Sequence, residues 1–206
     1  RFEEIAGVVP VTVRWEDGGS RYCELTAPQS LELGPEITQE ADLADLAWSL
    51  CLEDTDLVTA VHHPRVASVG LPFLCVEVGN RAALARAWLR KERWDEISGR
   101  VGCGSVHVYT RDGGGPQYAA RCRMFMGTGT VREDPATGSA NCALAGLLAT
   151  CEPQASGTFA YRITQGVEMN RPSELFASVD KLDGAVASVR IGGHCVNVAE
   201  GQILVD

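Results

Sequence analysis

The chain of 206 residues is predicted to form an α+β fold in which β-strands surround one buried helix. From Gly138 to Cys151 the sequence has no charged residue, and apolar side chains cover almost the whole helical circumference. A helix that is apolar on all sides is typically buried. Segments with strand-like patterns, separated by turn residues, lie on both sides of this helix.

The first ninety residues are predicted to contain a hairpin, a linker and the start of a second unit. Residues 8–15 alternate between apolar and polar side chains, residues 17–19 form a turn, and residues 21–25 return. Residues 28–35 are predicted to be a linker. Three further elements follow: a helix over 39–50, a buried strand over 66–78 that Gly70 and Pro72 interrupt, and a helix from the N-cap Asn80 to Leu89.

Beyond Gly99 the pattern changes to strands. Two of them precede the apolar helix, at 105–110 and 117–125, with a turn at 112–115 between them. Four strands follow the helix, at 158–164, 174–181, 185–191 and 202–205, with turns at 182–184 and 192–193.

The most informative segment directly precedes the apolar helix, where residues 131–140 combine two acidic residues, a turn and a Thr-Gly-Ser step. The first N–H groups of a helix have no intrahelical partner and carry about half a positive charge between them, so they can bind a carboxylate or enolate oxygen. A simpler interpretation is also open. Thr137 or Ser139 could only cap the helix, and Asp134 could only complement its dipole.

Several motifs together resemble those of the phenazine-biosynthesis (PhzF-like) isomerase family. The most specific is Glu-Asp-Pro-Ala-Thr-Gly-Ser-Ala at residues 133–140. Weaker matches occur in the expected order: Ser-Val-Gly-Leu-Pro-Phe at 68–73, Arg-Met-Phe at 123–125, Gln-Gly at 165–166 and Arg-Pro-Ser at 171–173.

This resemblance implies a fold like that of diaminopimelate epimerase, in which a mixed sheet curls around a central helix. The family has two such domains, with the active site in the cleft between them. Residues 1–33 are then expected to be the last strands of the first domain, and residues 34–206 the second domain, whose last strand could return toward the first. The family's N-terminal segment, with its proton-carrying glutamate and a Gly-His motif, does not occur in this sequence.

The chemistry of proton transfer next to a carboxylate suggests roles for particular residues. Asp134 is expected to orient the substrate or a neighbouring imidazole, because the positive end of the helix favours its carboxylate form. Substrate binding is assigned to Thr137, Gly138 and Ser139 at the helix start. Arg171 could clamp a carboxylate, or could equally pair with an acidic residue and hold its own loop.

Two further charged residues near the motif are expected to be structural. Arg123 alternates with apolar neighbours on its predicted strand, so it is expected to join an internal ion pair. Glu133 is expected to bond to backbone amides of its own turn.

Composition excludes several classes of partner. The net charge of −9 and the absence of a basic cluster argue against nucleic acid and anionic membranes, and no apolar run is long enough to span a bilayer. The eight cysteines are scattered without a C-x-x-C pair, which is typical of small core residues in a reducing cytoplasm. The four histidines lack metal-ligand spacing, and His62-His63 is expected to lie in a solvated loop.

The family resemblance implies a homodimeric isomerase that moves a proton on a small carboxylated metabolite without a cofactor or metal, and the cysteine pattern favours the cytoplasm. Two alternatives stay open. One is a catalytically silent binding or assembly module. The other is an amino-acid racemase or epimerase with paired cysteines, against which the sequence places Pro135 where such a cysteine would stand.

Overall fold

The computed structural model describes residues 1–5, 7–15, 21–202 and 204. The helices of this part of the chain are α1 (Glu40–Ser49), α2 (Arg81–Arg86), α3 (Lys91–Val101) and α4 (Gly138–Cys151). The strands before α1 are β1 (Phe2–Glu4), β2 (Gly7–Val9), β3 (Val11–Trp15), β4 (Arg21–Thr26) and β5 (Glu32–Glu36). The later strands are β6 (Arg65–Ser68), β7 (Pro72–Glu77), β8 (Ser105–Thr110), β9 (Ala120–Met126), β10 (Arg132–Asp134), β11 (Gly157–Gln165), β12 (Ser173–Leu182) and β13 (Ala185–Cys195).

One large mixed sheet curls around α4, which confirms the predicted fold. Its strands run in the order β3-β4-β13-β12-β11-β9-β8-β7-β6-β5, and β10 pairs with β9. The β7–β8 and β9–β11 pairs are parallel, and the other pairs are antiparallel. Helix α4 packs against β6 and β7 from one half of the sheet and against β11, β12 and β13 from the other. The sheet must therefore bend around the helix.

Alternating side chains of the middle strands fill two separate cores. On β7, Phe73 and Cys75 pack toward α4, whereas Leu74 and Val76 belong to a second core with α1, α2 and α3 on the opposite face. This division follows from the two-residue period of a strand. Strands that are covered on both faces hold the start of α4 against a rigid support.

Helix α3 was not predicted from the sequence. Its buried residues Trp94, Ile97 and Val101 form only a narrow stripe among charged neighbours, so the helical pattern of this segment is weak. Tertiary contacts stabilise it instead, since Trp94 is fully buried and its Nε1 donates to Gly104 O at 3.3 Å. Gly102, with a φ of 68°, ends the helix in the left-handed conformation.

Three other expectations need correction. The linker predicted at 28–35 contains part of β5, which pairs with β6. The turn predicted at 192–193 is strand: β13 continues through both glycines, and at Gly192 a Cβ would lie 2.4 Å from the hydroxyl oxygen of Tyr22. His62 does not lie in a solvated loop but is buried. Its Nδ1 donates to His63 O at 2.7 Å, and its Nε2 lies 2.6 Å from the hydroxyl oxygen of Tyr109.

The N-terminal hairpin joins the same sheet, because β4 pairs with both β3 and β13. The turn predicted at 17–19 lies outside the described residues, as do two of the four residues of the strand predicted at 202–205; the other two, Gln202 and Leu204, are not in a strand. The division into 1–33 and 34–206 stays a prediction.

Candidate active site

The segment that precedes α4 is anchored by a buried ion pair. Arg123 Nε and Nη2 each donate to a carboxylate oxygen of Glu133 at 2.8 Å, and each of these two side chains is only 7% exposed. Arg123 Nη1 also donates to the carbonyl oxygens of Leu84, Ala85 and Ala87 at the end of α2. The internal ion pair expected for Arg123 is confirmed. Glu133, however, pairs with this arginine and not with amides of its own turn.

Helix α4 begins without a side-chain cap. Thr137 is the N-cap residue, but its hydroxyl donates to Asp134 Oδ2 at 2.5 Å and accepts nothing from the helix. Among the described residues, the N–H groups of Gly138, Ser139 and Ala140 have no acceptor. The capping role considered for Thr137 is therefore not what this geometry shows. The first turn presents open donors at the positive end of the helix dipole.

Gln165 holds the loop and the helix start together. Its Nε2 donates to Asp134 O at 2.7 Å and to Thr137 Oγ1 at 3.0 Å, while its Oε1 accepts from Thr137 N at 3.2 Å. The next residue, Gly166, has a φ of 77°, and a Cβ there would lie 2.4 Å from Arg171 O and 2.6 Å from Pro135 O. Only glycine allows these backbones to approach so closely.

Sequence analysis missed two residues near this point, Asn141 and His107. Asn141 Nδ2 donates to Gln165 Oε1 at 2.7 Å and to Thr137 O at 2.8 Å, and Asn141 Oδ1 lies 3.2 Å from His107 Nε2. Both side chains are fully buried. Burial lowers the pKa of His107 to about 4, so the imidazole is neutral at physiological pH. The available signals were an amide inside an otherwise apolar helix and a histidine on the inward face of a strand.

A cavity of about 410 Å³ opens beside the first turn of α4. Ser139 and Cys142 contribute to its wall from the helix, while the rest is almost entirely apolar and includes residues of the N-terminal segment. The full set is Phe2, Ile5, Val9, Leu25, Ala27, Pro28, Val69, Gly70, Leu71, Ser139 and Cys142. Burial raises the pKa of the Cys142 thiol to about 12, so this cysteine is protonated near neutral pH and cannot act as a thiolate base.

The structure thus brings Asp134, Thr137, Gly138 and Ser139 together at one helix start. Arg171 lies in the turn after Gly166, where its backbone N–H donates to Gly166 O at 2.9 Å and its side chain is exposed. Within the described part of the chain, no acidic residue forms an ion pair with Arg171. Its carboxylate-binding role stays a prediction.

The described residues contain no group of three or more His, Cys, Asp or Glu side chains that could hold a metal ion. In the same residues, no helix is both long and apolar enough to cross a bilayer.

The fold and the site define a class of protein in which a curled sheet presents the uncapped start of a central helix to an apolar cavity. Residues 1–201 match the family described as phenazine biosynthesis-like protein (PhzC-PhzF), and the chain belongs to that family.

Two relatives are named as isomerases. An uncharacterized isomerase from Mesorhizobium japonicum is 32% identical over 209 residues, which cover 99% of this chain and 67% of the relative. An uncharacterized isomerase from Pasteurella multocida is 37% identical over 90 residues, which cover 43% of this chain and 29% of the relative.

Solved structures support the fold. A PhzF-family phenazine biosynthesis protein from Bacillus anthracis superposes with a TM-score of 0.80 at 21% identity, covering 98% of this chain and 67% of that one. A predicted epimerase from Pseudomonas aeruginosa superposes with a TM-score of 0.73 at 28% identity, covering 96% of this chain and 64% of that one. The chain thus spans about two thirds of these longer proteins. The family and its relatives support an isomerase or epimerase.

Proposed function

We propose that this chain carries the anion-binding half of a cofactor-independent isomerase that transfers a proton on a small carboxylated metabolite. The observation that carries the proposal is the uncapped first turn of α4 beside the apolar cavity. Three N–H donors at the positive end of a helix dipole can hold a carboxylate, or the enolate oxygen that develops when a neighbouring C–H loses its proton. In a chain of net charge −9, such local donors provide the attraction for an anion.

Asp134 orients the reacting groups in this proposal. Its carboxylate accepts from Thr137 Oγ1, and its backbone carbonyl accepts from Gln165, so both ends of the residue are held. None of the described side chains that line the cavity carries a carboxylate. The family resemblance assigns the general base to a glutamate in the family's N-terminal segment, and the proposal adopts that assignment.

The lining of the cavity also indicates which kind of substrate would fit. An almost wholly apolar wall with one polar corner, at Ser139, suits a molecule with an apolar body and one anionic group. The developing charge would then lie near the helix start, where the donors are, and away from the apolar wall.

Proton transfer can be tested by solvent exchange in the natural full-length protein. A panel of cyclic amino and hydroxy acids, including a dihydro-hydroxyanthranilate, is incubated in deuterated water, and deuterium at carbon is followed by NMR and mass spectrometry. The protein should introduce deuterium into at least one compound. Asp134→Asn should slow this exchange while leaving the fold intact, because Asn Oδ1 can still accept from Thr137. Binding without exchange across the panel would instead favour a silent module.

A second pair of variants isolates the helix donors. Gly138→Pro deletes one N–H at the first helical position, where proline is tolerated, and Thr137 already has the extended conformation that precedes a proline. A new Cβ there would lie 3.7 Å from Ile191 Cγ2, an ordinary contact. Gly138→Ala makes the same contact but retains the N–H. Exchange by the proline variant should be slower than that of the alanine variant by ~10²-fold or more. Equal rates would refute the donor role.

A further inference from the structure

We propose that His107, Asn141 and Gln165 are positioning residues that form a one-way hydrogen-bond relay from the protein core to the Asp134 carboxylate. The proposal rests on the function above and concerns the same site. In this relay, each side chain donates to the next one toward Asp134, through Thr137 as the last member. The direction is fixed by groups that can only donate or only accept.

The orientation of Asn141 is set by two carbonyl-type oxygens. Its Nδ2 lies 2.8 Å from Thr137 O and 2.7 Å from Gln165 Oε1, and both of these oxygens can only accept. A flipped amide would place its own oxygen against both acceptors. The Oδ1 of Asn141 must therefore face His107.

Gln165 is fixed by the same logic. Its Nε2 lies 2.7 Å from the carbonyl oxygen of Asp134, which only accepts, and its Oε1 lies 3.2 Å from Thr137 N, which only donates. The Nε2 therefore also donates to Thr137 Oγ1 at 3.0 Å. The hydroxyl proton of Thr137 is then directed to Asp134 Oδ2.

His107 begins the relay. Asn141 Oδ1 can only accept, so the hydrogen bond of 3.2 Å requires a proton on His107 Nε2. Because burial lowers the pKa of His107 to about 4, the ring carries a single proton at neutral pH. Its buried Nδ1, which has no partner among the described residues, is then the unprotonated nitrogen.

The relay joins β8, α4 and β11 to the end of β10, where Asp134 lies. Hydrogen bonds that point the same way polarise one another, and all of these present positive ends toward the carboxylate. The position of Asp134 is thus set from fully buried residues at the centre of the fold. Disturbing a distant member should misplace the carboxylate without touching the substrate.

The tautomer of His107 tests the relay without any substrate. Nitrogen-15 NMR of the natural full-length protein at neutral pH should show a protonated Nε2 and a bare Nδ1 for this residue. A proton on Nδ1 alone, or an imidazolium, would overturn the relay whether or not the enzyme acts on the exchange panel. Failure of the panel with the expected tautomer would count against the proposed function and not against the relay.

Kinetics then test the positioning role on any compound that exchanges. Asn141→Leu keeps a similar size but can neither donate to Gln165 nor accept from His107, so kcat should fall by ~10²-fold while KM changes little. Ser49→Ala removes a similarly buried hydrogen bond, from Ser49 Oγ to Leu46 O in α1, and serves as the control for a general loss of stability. An unchanged kcat in a folded Asn141→Leu protein would refute the proposal.

A rescue experiment covers the case in which Asn141→Leu does not fold. His107→Leu leaves Asn141 Oδ1 without a donor, whereas His107→Gln can supply an N–H from its side-chain amide. The glutamine variant should recover most of the kcat that the leucine variant loses. Equal kcat values for the two variants, whether both low or both normal, would contradict a role that depends on donation.

Discussion

Replacing Arg123 by methionine should destabilise the protein strongly, because this arginine serves two buried structures at once. It makes two hydrogen bonds of 2.8 Å to the Glu133 carboxylate. It also donates to three carbonyl oxygens at the end of α2, at 2.6 to 3.1 Å. Methionine fills a similar space but offers no donor.

The burial of the ion pair determines how much folding free energy the Arg123→Met variant should lose. Both charged side chains are only 7% exposed, so removal of the arginine leaves an unpaired carboxylate inside the protein. Breaking one side of such a pair costs about 3–5 kcal/mol, a large share of a typical folding free energy of roughly 5–15 kcal/mol. The unsatisfied carbonyls of α2 place the expectation toward the upper end of that range.

Urea unfolding followed by circular dichroism provides the assay. Arg123→Met should lower the midpoint without a change in slope, which would show that stability and not compactness has changed. The double variant Arg123→Met with Glu133→Leu removes both charges and should recover much of the lost free energy, because buried pairs are often replaceable by apolar residues. A loss below about 1 kcal/mol for the single variant would refute the reasoning. A double variant less stable than the single one would refute it equally.

Three further changes have clear expectations. Gly166→Ala should cost about 2 kcal/mol or more in urea unfolding, because φ is 77° and the new Cβ would lie 2.4 Å from Arg171 O; a neutral result would mean that this turn can relax. The pKa of His107 is about 4 in the folded protein, below the ordinary 6.5, so the unfolded chain takes up a proton more readily than the folded protein does. The neutral imidazole therefore contributes up to about 3 kcal/mol to the free energy of unfolding above pH 6.5, and this contribution is lost as pH falls through 4. The stability difference between wild type and His107→Gln should therefore shrink over that interval, and a constant difference would contradict this. Lys181→Met should cost ~2 kcal/mol, since Lys181 Nζ donates to Ala149 O at 3.0 Å and to Glu152 O at 2.8 Å at the end of α4; an unchanged melting curve would show that water replaces these bonds.

The elements that the sequence predicted well are those with strong local signals. The start and end of α4 could be predicted because an uncharged apolar run is bounded by a Thr-Gly step and a Pro. Helix α3 escaped prediction because its three buried residues are stabilised by partners far along the chain. The curl of the sheet was inferred only through the family resemblance, since no local pattern encodes which strands meet across a helix.

The candidate site also depends on long-range contacts that cannot be predicted from local sequence. The motif at residues 133–140 predicted a role for Asp134 and the helix start, but it could not show which groups hold them. His107 and Asn141 are 34 residues apart in sequence, and Asn141 and Gln165 are 24 apart, so their contacts exist only once the sheet has closed around α4. A histidine on the inward face of a strand is only a weak signal, because in sequence alone it resembles an ordinary core residue.

At the start of α4, Thr137 does not stabilise the helix in the way that an N-cap residue usually does. A threonine at the N-cap usually accepts from an N–H of the first turn and contributes about 1 kcal/mol. Here Thr137 instead donates to Asp134 and accepts from Gln165, so the helix forgoes that cap and its first donors stay open. The helix persists because its apolar surface is buried on all sides, which makes the contribution of a cap dispensable. A surface helix without such burial would lose a larger share of its stability from an uncapped N-terminus than α4 does.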